Sequence, residues 1–267
     1  CNDQDFQNLM HVYLDAVFYP NIYKKPEILK QEGWHYDLLN EDAPLTYNGV
    51  VFNEMKGVFS SPDQQLARII QKSLLEDTPY GFESGGDPKA IPDLTYEMFL
   101  DFHKTYYHPS NSYIYLYGNM DMEEKLNWID ENYLSHFEKI EVDSEVRLQK
   151  PFAERKEEYG FYSVTEGEDT EGKAYFSYNT VCGDGLDRNL YRAFPVLSYV
   201  LVQSIGAPLK QALLDAGIGN DISCYYEESV RQPFFSIIAK NVKMEQKQQF
   251  ITVIETESVS YTHLRAH

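Results

Sequence analysis

The chain has 267 residues, 43% of them hydrophobic, with 22 Tyr and 15 Phe, so it can fill one large core or two ordinary ones. Its formal net charge of −19 repels nucleic acid and anionic membrane surfaces and so excludes both as expected partners. The same charge suits basic peptides as partners, and equally serves plain solubility.

The three cysteines, Cys1, Cys182 and Cys224, are odd in number and far apart. That spacing suggests neither a disulfide framework nor a zinc knuckle, and it fits a reducing compartment such as the cytoplasm. No apolar run approaches the roughly 18 residues of a membrane span, and no signal peptide opens the chain. Residue 1 is Cys and a helix pattern begins almost at once, so the chain is expected to start inside a larger protein.

Asp3 or Asp5 can cap a helix over 6–18, with Phe6, Leu9, Met10, Tyr13, Leu14 and Val17 on its apolar face and Pro20 at its end. Pro26 opens a short helix over 27–31, and 33–38 reads as a strand. Residues 45–47 are a short extended entry into the next helix. That helix covers Gly49-Val50-Val51-Phe52-Asn53-Glu54-Met55-Lys56-Gly57. Its spacing puts Val50, Val51, Glu54 and Val58 on one face, apolar but for Glu54. A carboxylate on a core-facing stripe needs a proton, a cation or a metal to compensate it. The plainer alternatives are that the helix end turns Glu54 toward water, or that a Lys or Arg pairs with it.

Ser61-Pro62-Asp63-Gln64 has the form of a capping box with Pro at the first helical position, opening a helix that buries Leu66, Ile69, Ile70, Ser73 and Leu74. The loop over 79–93 holds Gly85-Gly86-Asp87-Pro88, which could wrap around something or simply turn. Thr95 caps the next helix, with Phe99, Phe102, His103 and Tyr106 inward and Pro109 as its stop. Tyr113-Ile114-Tyr115-Leu116-Tyr117 reads as a strand with apolar groups on both faces, as in a covered sheet. Asp121 with Glu124 forms another capping box, opening a helix to about 137 with Leu126, Ile129, Tyr133 and Leu134 inside.

Residues 139–172 are charged and lack helical periodicity; they read as a linker with an entering strand at 161–164. A strand at 174–181 follows, then a helix over 189–204 with Leu190, Phe194, Leu197 and Leu201 inward. A second helix, 208–216, is stopped by Gly217 and Gly219. Segments 222–227 and 234–241 read as a hairpin pair, with a last helix from about Met244. Residues 258–267 do not continue the helical pattern and are expected to be a non-native tail. The expected division is therefore 1–138 as the later part of a first α+β domain, 139–172 as linker, and 173–257 as the early part of a second.

Seven histidines are present: His11, His35, His103, His108, His136, His263 and His267. His103 and His108 are five apart, off a common helical face, so packing or capping competes with a metal role. The chain contains no H-E-x-x-H, H-x-x-E-H or G-x-S-x-G, and no cysteine with a matched histidine.

Several motifs in order resemble the presequence protease branch of the pitrilysin/insulinase metallopeptidases. They are Tyr13-Leu14-Asp15-Ala16-Val17-Phe18-Tyr19-Pro20, Gln31-Glu32-Gly33-Trp34-His35, residues 49–57, Ser84-Gly85-Gly86-Asp87-Pro88, Phe102-His103 and Tyr107-His108-Pro109-Ser110-Asn111. The match runs from about 5 to 120 and continues more loosely through 208–219 and the strands after it.

The resemblance implies an α+β fold, a pitrilysin-type half-shell whose sheet is covered by helices. The first domain would be incomplete, and a truncated homologous second domain would follow it. It implies one zinc ion, held by two histidines of an inverted H-x-x-E-H helix and a Glu from a later helix. Glu54 matches that later Glu by its setting. The inverted motif supplies the general base in such enzymes, and it should lie before Cys1. This chain alone is therefore expected to be inactive and a poor zinc binder, since one carboxylate is not a site. The implied function is a zinc metalloendopeptidase acting on short unstructured peptides, with the missing C-terminal half closing the chamber. The second reading is a non-catalytic scaffold or interaction subunit of the same fold.

Overall fold

The computed structural model describes residues 2–263. It divides into two compact units. One holds the residues up to Gly57 with Gly85–Glu145; the other holds Val58–Ser84 with the residues from Val146 on. This differs from the 138/173 division in one respect: residues 58–84 go with the later unit. Periodicity shows that a helix has an apolar stripe, but not which sheet that stripe will cover.

In the first unit, α1 (Asp3–Phe18) is capped by Asn2, whose side chain accepts from the Asp5 amide at 2.8 Å. Its buried stripe is Met10, Leu14 and Phe18, while Leu9, Tyr13 and Val17 of the expected face are exposed. The spacing of four is kept but the stripe is narrower, because only one partner helix lies against it. That partner is α5 (Met122–Asn132), where Ile129 and the following Tyr133 complete the cluster. The buried Lys125 amine joins the two helices through Asp3 and Glu124 at 3.1 Å and Gln7 at 3.2 Å. Its charge is thus paired, as burial requires.

Strands β1 (His35–Asp37) and β2 (Thr46–Asn48) form an antiparallel ribbon that leads into α2 (Val50–Val58). Helix α4 (Tyr96–Tyr106) is capped by Thr95, which accepts from Met98 at 3.2 Å. Phe102 and Tyr106, expected inward, are exposed.

The strand expected at 113–117 does not form. The segment is extended, but among the described residues no strand lies beside it. Aromatic and β-branched residues favour a pleated surface only where neighbours exist to pack on it.

The second unit is a three-layer structure. Strands β3 (Ala174–Val181), β4 (Asp221–Glu227) and β5 (Phe234–Val242) form an antiparallel sheet in the order β3-β5-β4. Val181 pairs with Phe234, and Glu227 pairs with Phe234 from the other side. The central β5 is buried on both faces. Phe235, Ile237, Ala239 and Val242 join the main core, and Phe234 joins a second cluster on the opposite face.

The main core is closed by α7 (Pro208–Asp215) and α8 (Lys247–His263), through Leu209, Leu213, Phe250 and Ile254. The opposite face takes α3 (Pro62–Leu74), with Ile70 and then Leu75 against Phe234 and Val230. The Ser61 cap and Pro62 are as the sequence suggests.

Helix α6 (Arg188–Ser198) holds Pro195 and passes into a π-helical turn, Tyr199–Gln203. Pro195 has no N–H to continue the ladder there. α7 ends as its glycines require: Gly217 has φ +67°, its N–H meets Leu214 O at 2.9 Å, and Ile218 N–H meets Leu213 O at 3.0 Å.

No strand forms at 161–164; Phe161 is exposed and Tyr162 stacks on Tyr175. Residues 146–160 instead lie extended over the unit. Gln149, 5% exposed, pins them there. Its Oε1 accepts from the Asp77 amide at 2.7 Å and its Nε2 donates to Asp77 Oδ2 at 2.9 Å, while its own amide meets Gln232 Oε1 at 2.5 Å. At the far end, α8 stays helical past 257 to His263, and 264–267 lie outside the described residues.

Candidate metal centre

Glu54 is the one residue assigned to a metal by the sequence, and α2 carries it. The helix starts at a fixed point. Gly49 has φ +152°, and a Cβ there would sit 2.2 Å from the Gly33 carbonyl oxygen, so only glycine fits. Asn48 Oδ1 accepts from the Gly49 amide at 2.8 Å and from Asn53 Nδ2 at 2.7 Å, tying the first turn to β2. Phe52 and Met55 face inward. Phe52 meets the Tyr47 ring edge-on at 5.9 Å, and Tyr47 meets Trp34 at 5.8 Å. Trp34 Nε1 donates to Leu94 O at 3.0 Å. Gly85 lets Met55 approach: a Cβ there would lie 2.4 Å from the Met55 sulfur. The Gly85-Gly86-Asp87-Pro88 stretch is thus a turn against α2, closed by Asp87 Oδ1 accepting from the Lys89 amide at 2.8 Å.

The expected face of α2 is corrected by this packing. Val50, Val51 and Glu54 are exposed, and the buried pair is Phe52 with Met55, at a spacing of three. Two large side chains with an aromatic bed outweigh three valines on the other side. Glu54 therefore needs no compensating charge, and of the plainer readings the water-facing one holds. Among the described residues, no hydrogen bond or ion pair engages its carboxylate.

The described histidines are structural. His103 Nε2 lies 2.8 Å from Val17 O, a pure acceptor, so that nitrogen carries the proton. Its Nδ1 then accepts from Tyr23 Oη at 2.8 Å, and both nitrogens are used. His108 accepts from the Ser110 amide at 3.1 Å and meets Phe137 edge-on, so it caps and packs. His11 Nδ1 lies 2.7 Å from Tyr133 Oη, and His35 Nδ1 donates to Lys30 O at 2.6 Å. Burial raises the Cys224 thiol and pushes Cys182 up to about 12, so neither is a ready thiolate ligand. Among the described residues, no three His, Cys, Asp or Glu come together as a metal site. The residues present do not fit a zinc ion on their own. The Asn48 cap and the Gly85 contact that hold α2 were missed in the sequence; Asn-Gly directly before a helix was the available signal.

The family model for the peptidase M16 inactive domain matches residues 93–257. The chain belongs to the peptidase M16 family. Its relatives place this M16 chain in the presequence protease branch of the pitrilysin group. It is 39% identical to presequence protease 1, chloroplastic/mitochondrial, of Arabidopsis thaliana, over 93% of this chain and 23% of that protein. It is 53% identical to protein HypA of Clostridium perfringens, over 95% of this chain and 26% of that protein. A chain of Complex III2 from Candida albicans, solved with Inz-5 bound, shares the fold at TM-score 0.52 and 15% identity, over 71% of this chain and 45% of that one. The α+β pitrilysin-type architecture read from the motifs is thus present. The M16 chain spans about a quarter of the length of the curated relatives it matches.

Proposed function

We propose that this chain is part of a zinc metalloendopeptidase that degrades short unstructured peptides, and that Glu54 is one of its metal ligands. The observation that supports this is the setting of Glu54. It stands on a helix anchored at both its first turn and its buried face, with its carboxylate turned outward and unpaired. A structural glutamate at such a place would have a cationic or amide partner; a ligand must keep its oxygens free. One carboxylate holds no metal alone, so the remaining ligands and the general base would come from the rest of a longer polypeptide, whose C-terminal half would close the peptide chamber. Substrates would be peptides, with basic ones drawn by the charge of −19, and neither nucleic acid nor a membrane would be a partner. A reducing compartment such as the cytoplasm suits the free thiols Cys182 and Cys224.

A non-catalytic scaffold of the same fold is the second reading. It is favoured by the inactive description of the matched domain, which begins at residue 93, beyond Glu54.

The test is to express the full-length polypeptide and measure its zinc content and its cleavage of a quenched peptide. Glu54→Gln should lose zinc and at least about 100-fold in kcat/KM, since even groups that only orient a ligand cost 10–100-fold. A Gln variant with full zinc and full cleavage would remove Glu54 from the site. Wild-type protein with neither zinc nor cleavage would establish the scaffold reading.

A further inference from the structure

The extended segment 113–117 of the first unit is an unfinished piece of sheet. Tyr113, Tyr115 and Tyr117 point the same way and are 104%, 83% and 82% exposed. On the other side, Leu116 packs on the α1–α5 cluster. One face is thus already seated on a core. Both edges are open: among the described residues, no hydrogen bond reaches the N–H or C=O groups of residues 113–117. Five residues of alternating tyrosine and branched apolar side chains are an expensive sequence to leave in water. They are also the sequence best suited to a ladder.

We propose that this segment is an acceptor strand, paired edge-to-edge by a β-strand from the part of the same polypeptide outside these 267 residues. The occupant would carry apolar side chains toward the α1–α5 face and flat side chains opposite the tyrosines, matching the alternation of the acceptor. Three considerations choose a strand in cis. The relatives run to about four times this length, as the 26% and 23% coverages show, so ample chain exists to supply it. A tethered strand acts at an effective concentration in the millimolar range and avoids the association cost borne by a free peptide. A second copy would bring another −19 of charge against the first. The inference does not depend on peptidase activity or on zinc.

Hydrogen exchange of the full-length polypeptide, read by mass spectrometry without added peptide, tests this on the wild-type protein. Successive amides on a strand point to opposite edges. At least one alternate set, 113, 115 and 117 or 114 and 116, should exchange about 100-fold or more slower than in a free peptide, at every protein concentration. Exchange at the free-peptide rate would overturn the proposal. Protection that appears only as concentration rises would assign the edge to a second copy instead. Protection that appears only when an unstructured peptide is added would assign it to a ligand in trans. Either of these also overturns pairing in cis.

Discussion

Two segments of similar chemistry met different fates. β5 in the second unit, Phe-Phe-Ser-Ile-Ile-Ala-Lys-Asn-Val, is paired on both edges and covered on both faces. Tyr-Ile-Tyr-Leu-Tyr at 113–117 in the first unit has one face seated and nothing else. Around β5, thirteen described residues form one buried cluster; beside 113–117 only five do. The difference is one of neighbours rather than of intrinsic preference. A strand gains its stability from cross-strand and inter-layer contacts, and the same alternation yields a central strand or a bare ribbon according to what the chain brings alongside.

The largest test of this contrast is a pair of truncations in the 267-residue chain. Leu213→Ala, at a fully buried position, should cost about 2–5 kcal/mol by denaturant unfolding. Tyr113→Ala should stay within about 0.5 kcal/mol. Equal costs would break the comparison; a larger Tyr113 cost in the full-length polypeptide would sharpen it.

The next is the clasp that holds 146–160 onto the second unit. Gln149→Ala leaves the Asp77 amide and Gln232 without partners and should lose about 1–3 kcal/mol, whereas Gln149→Glu keeps one acceptor and should lose less.

Glu54→Gln in the first unit should change the stability of the 267-residue chain by less than about 0.5 kcal/mol in a thermal melt, because nothing in the fold rests on its charge. A large loss would mean the carboxylate has a structural duty.

The smallest effect is a pH dependence confined to the second unit. The Lys247 ammonium at 2.6 Å holds the Glu157 carboxyl below its ordinary range. A carboxyl lowered on folding stabilises the fold above its unfolded value, near 4.3, and that contribution is lost as pH falls through the lowered one. Acid titration with 0.5 M salt as control should show a slight loosening of 146–160 below about pH 4 that Glu157→Gln abolishes.

Much of the second unit was legible in the residues. The 174–181 strand, the hairpin at 222–227 and 234–241, and the glycine stop after α7 all depend on local chemistry: alternation, turn residues, and a left-handed cap at Gly217. What failed was what depends on partners. Tyr113 to Tyr117 has the alternation of a strand but no neighbour, and Phe161 to Val164 likewise. The spacing of α2 offered two faces, one with valines and Glu54 and one with Phe52 and Met55. Only the aromatic bed of Trp34 and Tyr47, brought up by the ribbon, decides between them. Glu54 was therefore found through its sequence neighbours rather than through the burial argument, which pointed to the wrong side of the helix.

The position of α3 has a consequence for synthesis. Ile70 must wait for Phe234, 164 positions later, before its side chain is covered. At a translation rate of about 5–20 residues per second that is roughly 10–30 s during which an apolar helix stands bare outside the ribosome. For that interval the protein's main hazard is kinetic. A slow stretch of translation between residues 85 and 230, or the absence of a holding chaperone, would expose the nascent chain to aggregation however stable the finished second unit is.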